Sequence, residues 1–347
     1  MSVQAFCRRL PKAELHAHLH GSISTNTMQK LINDVSHTVD KSERDVWSTV
    51  INKEGKRTLH ECFAVFKMIH ELVTSKEALS MVTGDVIREF ADDGVCYLEL
   101  RTTPRPLKGI SKRGYVDTVV AVIQEASNHL ELPVKLLLSI DRRQSLEEAL
   151  DTVEMTAEYQ QKGDGVVVGI DLSGDPTKGD ATTFLPALRK AREAGLKVTL
   201  HVAEVPNVAE TLSLLEFGPD RVGHGTCLHP AQGGSDELVK CFESKKIPLE
   251  VCLTSNVKCR TVQSYDVHHF RDWYERGHPM ALCTDDKGVF STSLSEEYCV
   301  AHSKLNMSQV ELWKLSLSTV DYTFVTDDLK RQLRHKWQDC KQNYFQQ

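Results

Sequence analysis

Eight strand-like segments that alternate with helical patterns predict an α/β fold for this chain, a (β/α)8 TIM barrel. Such alternation is typical of a parallel sheet whose strands are joined by crossover helices. The length of 347 residues suits a barrel of about 250 residues with insertions. We expect one barrel domain over residues 1–347, with a helical insertion after the first strand.

The predicted strands are short and apolar, and helical patterns separate most of them. Apolar residues recur at helical spacing between Glu147 and Tyr159 and between Phe184 and Ala194. Gly195 ends the second of these helices, as a C-cap glycine does. The strands are predicted near Ala13–Leu19, Cys96–Arg101, Val134–Ser139, Val166–Leu172, Lys197–Val202, Arg221–Gly223, Pro248–Leu253 and Met280–Cys283.

The longest interruption lies between the first two strands, at about residues 22–95. An insertion at this point would lie over the mouth of a barrel, so we expect it to act as a lid. A second feature is a terminal helix at about residues 326–345, which begins at Thr326, a good N-cap. Helical spacing in the insertion predicts a core-facing stripe of Leu59, Cys62, Phe63, Phe66 and Ile69.

Composition favours small-molecule partners. The 42 basic and 48 acidic residues give a formal net charge of -6, which does not suggest a nucleic-acid or anionic-membrane surface. The N-terminus lacks the apolar core of a signal peptide, and no run approaches the roughly 20 apolar residues that span a bilayer. The ten cysteines are scattered without a Cys-X-X-Cys pair, which favours reduced thiols. We expect a cytosolic protein.

His16-Ala17-His18 predicts half of a metal site. Alternate side chains of a strand point to one face, so both imidazoles can reach one ion while Leu15 and Leu19 pack on the other face. Two packed or surface histidines explain an isolated His-X-His pair equally well. Three later clusters decide between these interpretations.

Polar side chains follow the end of every predicted strand. In a barrel these eight ends surround one mouth, where the active sites of this fold lie, so the pattern predicts a single site. In chain order the residues are His16, His18 and His20; Arg101–Arg105; Asp141; Asp171 and Gly174; His201–Glu204; His224; Thr254–Asn256; and Asp285–Asp286.

Three of these clusters suit metal-assisted hydrolysis. His201 and Glu204 supply a ligand and a nearby proton carrier. His224 lies between two glycines and could be a ligand or a base, which spacing alone does not distinguish. Asp285 and Asp286 are costly neighbours unless a cation or donor neutralises one; a solvated loop or helix N-cap is the other interpretation. The residues predict a metal-dependent hydrolase of unknown substrate.

Five motifs in this order resemble the adenosine deaminase family of the amidohydrolases. The resemblance runs from about residue 11 to the C-terminus and implies a TIM barrel of the metal-dependent hydrolase type. It also implies hydrolytic deamination, in which water adds at purine C6 and the amine leaves. The motifs are Pro11–Leu19, Asp171–Asp175, His201–Glu204, Arg221–Gly225 and Thr284–Asp286.

The resemblance implies specific roles. Glu204 would protonate purine N1, and His224 would orient and deprotonate the attacking water. Asp286 would bind that water or the purine edge, and Gly174 would offer its backbone to the purine. One zinc ion per chain would have four ligands: His16, His18, His201 and Asp285. The other substrate-binding residues would be His18, His20, His70, Thr102, Thr103, Pro104, Arg105 and Asp141.

His20 departs from the pattern of the nucleoside enzymes, which carry an Asp there to receive the ribose 5′-hydroxyl. A carboxylate would repel a 5′-phosphate, whereas an imidazole would not. With Thr102–Arg105 and Leu253–Lys258, this change is similar to the adenosine deaminase-like branch. That branch acts on N6-substituted adenosine monophosphates, notably N6-methyl-AMP, and releases methylamine and IMP. We reject His20 as a metal ligand because it lies beyond the strand end and because the resemblance already implies four other ligands.

Several alternatives stay open. Either Arg105 or His20 could meet the phosphate, and Arg105 could instead be a surface residue of a proline-rich loop. The protein could be an adenosine deaminase acting on the nucleoside, a related amidohydrolase acting on another amine or ester, or a silent member that acts as a binding protein. The complete set of metal ligands, together with Glu204 and Asp286, argues against a catalytically inactive binding protein. We expect a monomer acting on a purine nucleotide.

Overall fold

The computed structural model describes residues 2–34, 59–163 and 165–345, with side chains for all of these except 59–64 and 342–345. Eight strands form one sheet, each strand parallel to the next in chain order. The predicted (β/α)8 barrel is therefore confirmed. The strands are β1 (Lys12–His18), β2 (Val95–Thr102), β3 (Val134–Asp141), β4 (Val167–Ser173), β5 (Lys197–Val202), β6 (Arg221–His224), β7 (Leu249–Val251) and β8 (Met280–Leu282).

Backbone hydrogen bonds join the last strand region to the first and close the barrel at its carboxyl end. The amide of His18 donates to the carbonyl of Asp285 at 3.0 Å, and the amide of Asp285 donates to the carbonyl of His16 at 2.8 Å. A parallel bridge between Ala17 and Asp285 results. Closure thus brings residues 16–18 next to Asp285, although 267 positions separate Asp285 from His18 in the sequence.

Helices surround this barrel and pack on its apolar outer face, where Leu98, Leu100 and Val198 are fully buried. The described α-helices are α1 (Val3–Arg9), α2 (Thr25–Asp34), α3 (Leu59–Leu72), α4 (Lys76–Asp92), α5 (Lys112–Leu130), α6 (Leu146–Gln161), α7 (Leu185–Glu193), α8 (Val208–Phe217), α9 (Asp236–Lys245), α10 (Leu253–Lys258), α11 (Phe270–Glu275), α12 (Lys287–Phe290), α13 (Leu294–Leu305), α14 (Gln309–Thr319) and α15 (Asp327–Phe345).

The chain between β1 and β2 contains α2, α3 and α4. Of the predicted apolar stripe, Ile69 is buried and Phe66 is partly buried against the core. The side chains of Leu59, Cys62 and Phe63, and all of residues 35–58, lie outside the described residues. The role of this insertion as a lid stays a prediction.

One predicted strand is too long. The sequence predicts a strand to Leu253, but β7 ends at Val251 and α10 begins at Leu253. Leu253 is fully buried, so its apolar character fits either element.

Each of the nine cysteines with described side chains is a free thiol. None of the helices in the described ranges is long and apolar enough to cross a membrane. The cytosolic location and monomeric state stay predictions.

Candidate active site and metal centre

A cavity of about 820 Å³ opens at the carboxyl end of the barrel, and every strand contributes to its wall through its last residues or the chain that follows. The single site predicted from the strand ends therefore has a single cavity to occupy. Its lining includes His18, His20, His70, Thr102, Thr103, Arg105, Asp141, Gly174, His201, Glu204, His224, Ser255, Asn256, Asp285 and Asp286.

The four predicted metal ligands meet at the floor of this cavity. One ligand atom from each of His16, His18, His201 and Asp285 lies within 4.8 Å of all the others. Oδ1 of Asp285 is 3.3 Å from Nε2 of His16 and 3.4 Å from Nε2 of His18. Nε2 of His18 is 3.1 Å from Nε2 of His201. His20 lies outside this cluster.

These spacings suit a first-row metal ion. Ligands about 2.0–2.1 Å from a tetrahedral zinc ion lie roughly 3.3 Å from one another, which is close to the separations here. Nε2 of His16 is buried and has no hydrogen-bond partner among the described residues. A buried nitrogen of this kind is costly unless something binds its lone pair. The residues present therefore fit a metal ion.

Hydrogen bonds on the far side of three of the four ligands, His16, His201 and Asp285, fix their orientation. Nδ1 of His16 is 2.6 Å from Oε2 of Glu250. Nδ1 of His201 is 3.0 Å from the carbonyl of Leu172 and 3.1 Å from Oδ1 of Asp171. Acceptors at Nδ1 place the imidazole proton there and leave Nε2 free to bind a metal. The hydroxyl of Ser255 donates to Oδ2 of Asp285 at 2.6 Å.

A buried ionic network lies beneath the cluster. Arg101 donates to Asp171 at 3.0 Å through Nη1 and to Glu250 at 2.9 Å through Nη2. Arg221 donates to Glu250 at 2.6 Å through Nε and to Glu99 at 2.5 Å through Nη2. All five side chains are fully buried. Burial alone would raise the pKa of Glu250, but the two guanidinium groups hold it well below its usual value.

Arg101 and Asp171 were predicted at the mouth as strand-end polar residues, and the structure gives them this supporting position under the ligands. Glu250 was missed. Its signal in the sequence is a lone carboxylate inside the apolar strand Leu249–Val251. In a strand that faces a buried interior, such a charge requires partners.

Glu204 and His224 lie side by side above the cluster. Oε2 of Glu204 is 3.7 Å from Nε2 of His224, and that nitrogen is 4.0 Å from Oδ2 of Asp285. Burial raises the pKa of Glu204 to about 7, so its carboxyl group can carry a proton near neutral pH. Burial lowers the pKa of His224 well below its usual value, so its imidazole is neutral. This pairs a proton donor with a proton acceptor.

Three site residues have left-handed backbone, with φ of 56° at Ala203, 63° at His224 and 62° at Asp285. They follow or end β5, β6 and β8. Non-glycine residues adopt this conformation rarely, and it costs about 1–3 kcal/mol where the side chain gains nothing locally. The turns at these three strand ends direct His224 and Asp285 to the cavity.

The backbone at Gly21 lies so close to Asp286 that the carboxylate fits only because Gly21 has no Cβ atom. A Cβ atom on Gly21 would lie 1.6 Å from Oδ1 of Asp286, so only glycine fits at position 21. Asp286 occupies the N-cap position of α12, but its side chain makes no capping hydrogen bond. The N-cap interpretation is thus right for the backbone only. The carboxylate lines the cavity instead.

His20, His70 and Arg105 form a second group on the cavity wall, which we call the anion corner. The rings of His20 and His70 are 5.4 Å apart in a T-shaped arrangement. Arg105 donates to the carbonyl of Val73 at 3.1 Å and is partly buried, so it is not a simple surface residue. Nε2 of His20 and Nε of Arg105 are buried without a hydrogen-bond partner in the described chain.

The remaining predicted substrate residues divide into two groups. Thr102, Thr103, Asp141 and Gly174 line the cavity, whereas Pro104 is buried and is not on its wall. Gly174 has a φ of 108°, and a Cβ there would lie 2.7 Å from Oδ1 of Asp141. Glycine is therefore required for the close packing of these two strand ends.

A barrel with three histidines, an aspartate and a proton-carrying glutamate at its mouth defines a metal-dependent hydrolase of the amidohydrolase class. Residues 11–340 match the model of the family described as adenosine deaminase. The chain belongs to the adenosine deaminase family. The members of this family are metal-dependent, and the His/Asp cluster described above can hold such an ion.

Relatives with assigned names cover the chain almost completely. It is similar to N6-methyl-AMP deaminase of Danio rerio, with 49% identity over 98% of this chain and 98% of the relative. The human N6-methyl-AMP deaminase is also 49% identical and covers 97% of this chain, which covers 95% of the human protein. The crystal structure of Arabidopsis ADAL complexed with IMP has 40% identity and a TM-score of 0.89, with 99% of each chain covered.

Proposed function

We propose that the chain is a zinc-dependent deaminase of N6-substituted purine nucleoside monophosphates. In the proposed reaction, N6-methyl-AMP and water give IMP and methylamine. The names of the Danio rerio and human relatives support this substrate, and the IMP complex of the Arabidopsis protein supports a nucleotide product. The zinc assignment is supported by three imidazoles and one carboxylate whose ligand atoms lie within 4.8 Å of one another.

The observation that carries the nucleotide assignment is the anion corner. Nε2 of His20 and Nε of Arg105 are buried with no hydrogen-bond partner in the described part of the chain. Each is a nitrogen that can donate to a phosphate oxygen, and charge-assisted bonds from a guanidinium are the stronger kind. A 5′-phosphate would satisfy both nitrogens. A ribose hydroxyl offers a single oxygen and no charge.

The side chains near the cluster supply the proton transfers. A bound zinc ion would supply Lewis-acid activation of water. His224, neutral because it is buried, accepts a proton from water as the oxygen adds to C6. Glu204 carries a proton near neutral pH and gives it to purine N1. Asp286 orients the purine edge. His224 then gives its proton to the departing methylamine, and the proton of the C6 hydroxyl returns to Glu204 as the carbonyl of IMP forms, which restores both groups.

The test compares four substrates with the purified zinc-loaded protein: N6-methyl-AMP, AMP, N6-methyladenosine and adenosine. We expect the highest kcat/KM for N6-methyl-AMP, with IMP and methylamine as products. A preference for adenosine would contradict the nucleotide assignment and identify a nucleoside deaminase. Turnover of none of the four would contradict the proposed function as a whole.

A further inference from the structure

Asn256, one of the polar residues predicted at the barrel mouth but without an assigned role, lies beside the imidazole of His224. It is located on α10 and is 2% exposed. Nδ2 of Asn256 is 3.3 Å from Nδ1 of His224. Oδ1 of Asn256 is buried and lacks a hydrogen-bond partner among residues that the structure describes. The amide therefore touches a candidate base while its own acceptor is left without a donor.

The two possible orientations of this amide give His224 different chemistry. With Nδ2 toward the ring, Nδ1 of His224 must accept, so the imidazole proton is on Nε2 and that nitrogen cannot act as a base. A turn of 180° exchanges Oδ1 and Nδ2 without moving the side chain. Oδ1 then accepts from Nδ1–H, and the lone pair is on Nε2. This orientation gives the buried oxygen a donor, and it moves Nδ2 away from His224 and from Thr261 Oγ1, which is 3.5 Å from Nδ2 in the first orientation.

We propose that Asn256 is a positioning residue that holds His224 in the Nδ1–H tautomer. Nε2 of His224 then presents its lone pair on the side where Glu204 and Asp285 lie, at 3.7 and 4.0 Å. This inference rests on the proposed function only in making Nε2 the acceptor of the proton from water. The tautomer itself is a property of the protein and needs no substrate.

Backbone contacts fix the position of the amide. The carbonyl of Asn256 accepts from Thr261 Oγ1 at 3.1 Å and from the amide of Val262 at 3.0 Å. The amide of Thr254 donates to Oε2 of the buried Glu297 at 3.0 Å, which secures the first turn of α10. These contacts hold the backbone at Asn256 and at Thr254, and the side-chain amide of Asn256 therefore stays next to His224.

His224 is secured from the opposite side. Nε2 of His269 is 2.8 Å from the carbonyl of His224, and a carbonyl can only accept, so His269 donates. This bond holds the backbone of His224 at its φ of 63°. The backbone is fixed by His269 and the ring by Asn256. The bond from His269 leaves the tautomer of His224 open, and the contact with Asn256 determines it.

The direct test is nuclear magnetic resonance on the metal-loaded protein. Two-bond correlations between ring nitrogens and ring protons distinguish the tautomers, and the signals that disappear in His224→Ala assign them to His224. We expect a protonated Nδ1 and an unprotonated Nε2 in the wild type. We expect loss of this single form in Asn256→Ala and its retention in Asn256→Asp, whose carboxylate also accepts. A protonated Nε2 in the wild type, or an unchanged tautomer in Asn256→Ala, would overturn the proposal.

A double-mutant cycle tests the kinetic consequence. Asn256→Ala should lower kcat for N6-methyl-AMP about tenfold with KM within about twofold, because one hydrogen bond to the base is lost. In a His224→Ala background the same change should cost less than about twofold. Equal losses in both backgrounds would show that Asn256 acts independently of His224 and would refute the inference. Failure of the wild type to turn over N6-methyl-AMP would refute the proposed function instead, while the tautomer measurement still decides this inference.

Discussion

The metal cluster and the anion corner share one cavity but are built differently. The cluster stands on strand ends, and His16, His201 and Asp285 each have a buried partner behind the atom that faces the cavity. The anion corner stands on the loops after β1 and β2 and on α3. There, Nε2 of His20 and Nε of Arg105 have no hydrogen-bond partner in the described residues.

This difference assigns a separate task to each region. The cluster is held by an ionic network inside the barrel, so its geometry is independent of the substrate. The corner holds two buried nitrogens without partners in the described chain, so we expect it to select the ligand. Chemistry and substrate choice should therefore respond to different substitutions. The predictions below separate the two regions, from the largest expected effect to the smallest.

Glu204→Gln should lower kcat at least about 10³-fold, because the amide cannot protonate purine N1. Zinc content should stay at one per chain, since Glu204 is not among the four ligands. Steady-state kinetics and metal analysis by mass spectrometry measure the two effects. Retention of wild-type kcat would remove Glu204 from the mechanism.

Gly21→Ala should lower kcat about 10²-fold, because its Cβ would displace the carboxylate of Asp286. Gly84→Ala in α4 is a matched control, since a Cβ there would meet its nearest neighbour at 3.8 Å. The measurement is kcat of both variants compared with that of the wild type. Equal activity of the two variants would show that the position of Asp286 does not matter for turnover.

His20→Asp should lower kcat/KM for N6-methyl-AMP roughly 10- to 100-fold through repulsion of the phosphate, and should leave N6-methyladenosine nearly unaffected. His20→Asn, which adds no charge, is the control and should have a much smaller effect. The ratio of kcat/KM for the two substrates is the measurement. An unchanged ratio in His20→Asp would exclude the anion corner from phosphate binding.

Glu250→Gln should weaken zinc binding by about 10- to 100-fold, because the charge behind His16 is lost. Glu99→Gln is the control, since Glu99 is equally buried and binds Arg221 but contacts no predicted ligand. Zinc dissociation constants from competition with a chelator, compared with thermal unfolding, separate metal affinity from stability. Similar zinc affinities in both variants would refute the supporting role of Glu250.

The acidity of Glu204 predicts a pH profile. Its raised pKa of about 7 means that the carboxyl group keeps its proton below that pH and loses it above. If Glu204 donates the proton, kcat should fall by up to about tenfold per pH unit above its pKa. A pH series of kcat for N6-methyl-AMP measures this decline. A rate that rises steadily from pH 7 to pH 9 would contradict the assigned proton donor.

The sequence predicted the strands and the His16/His18 pair because both depend on local patterns, and the resemblance to the adenosine deaminase family added His201 and Asp285 to the predicted ligands. Apolar runs identify strands, and alternation in His16-Ala17-His18 places two imidazoles on one face. The end of β7 was missed because Leu253 is buried in either a strand or a helix. The support beneath the cluster was missed for another reason. Glu250 lies 234 positions from His16, so no local pattern connects them.

Burial and backbone conformation also required the structure. Arg105 in its proline-rich loop was compatible with a surface position, and only the packing of the loop against Val73 shows that it is partly buried. The sequence could not predict that Oδ1 of Asn256 lacks a hydrogen-bond partner in the described chain, because hydrogen-bond partners depend on which residues are neighbours in the folded structure.

The most direct test of the separation between cluster and corner measures two quantities in three proteins: wild type, His20→Asp and Glu250→Gln. The quantities are the zinc dissociation constant and the ratio of kcat/KM for N6-methyl-AMP over N6-methyladenosine. We predict that His20→Asp changes only the substrate ratio and that Glu250→Gln changes only zinc affinity. A change of both quantities in either variant would contradict the account.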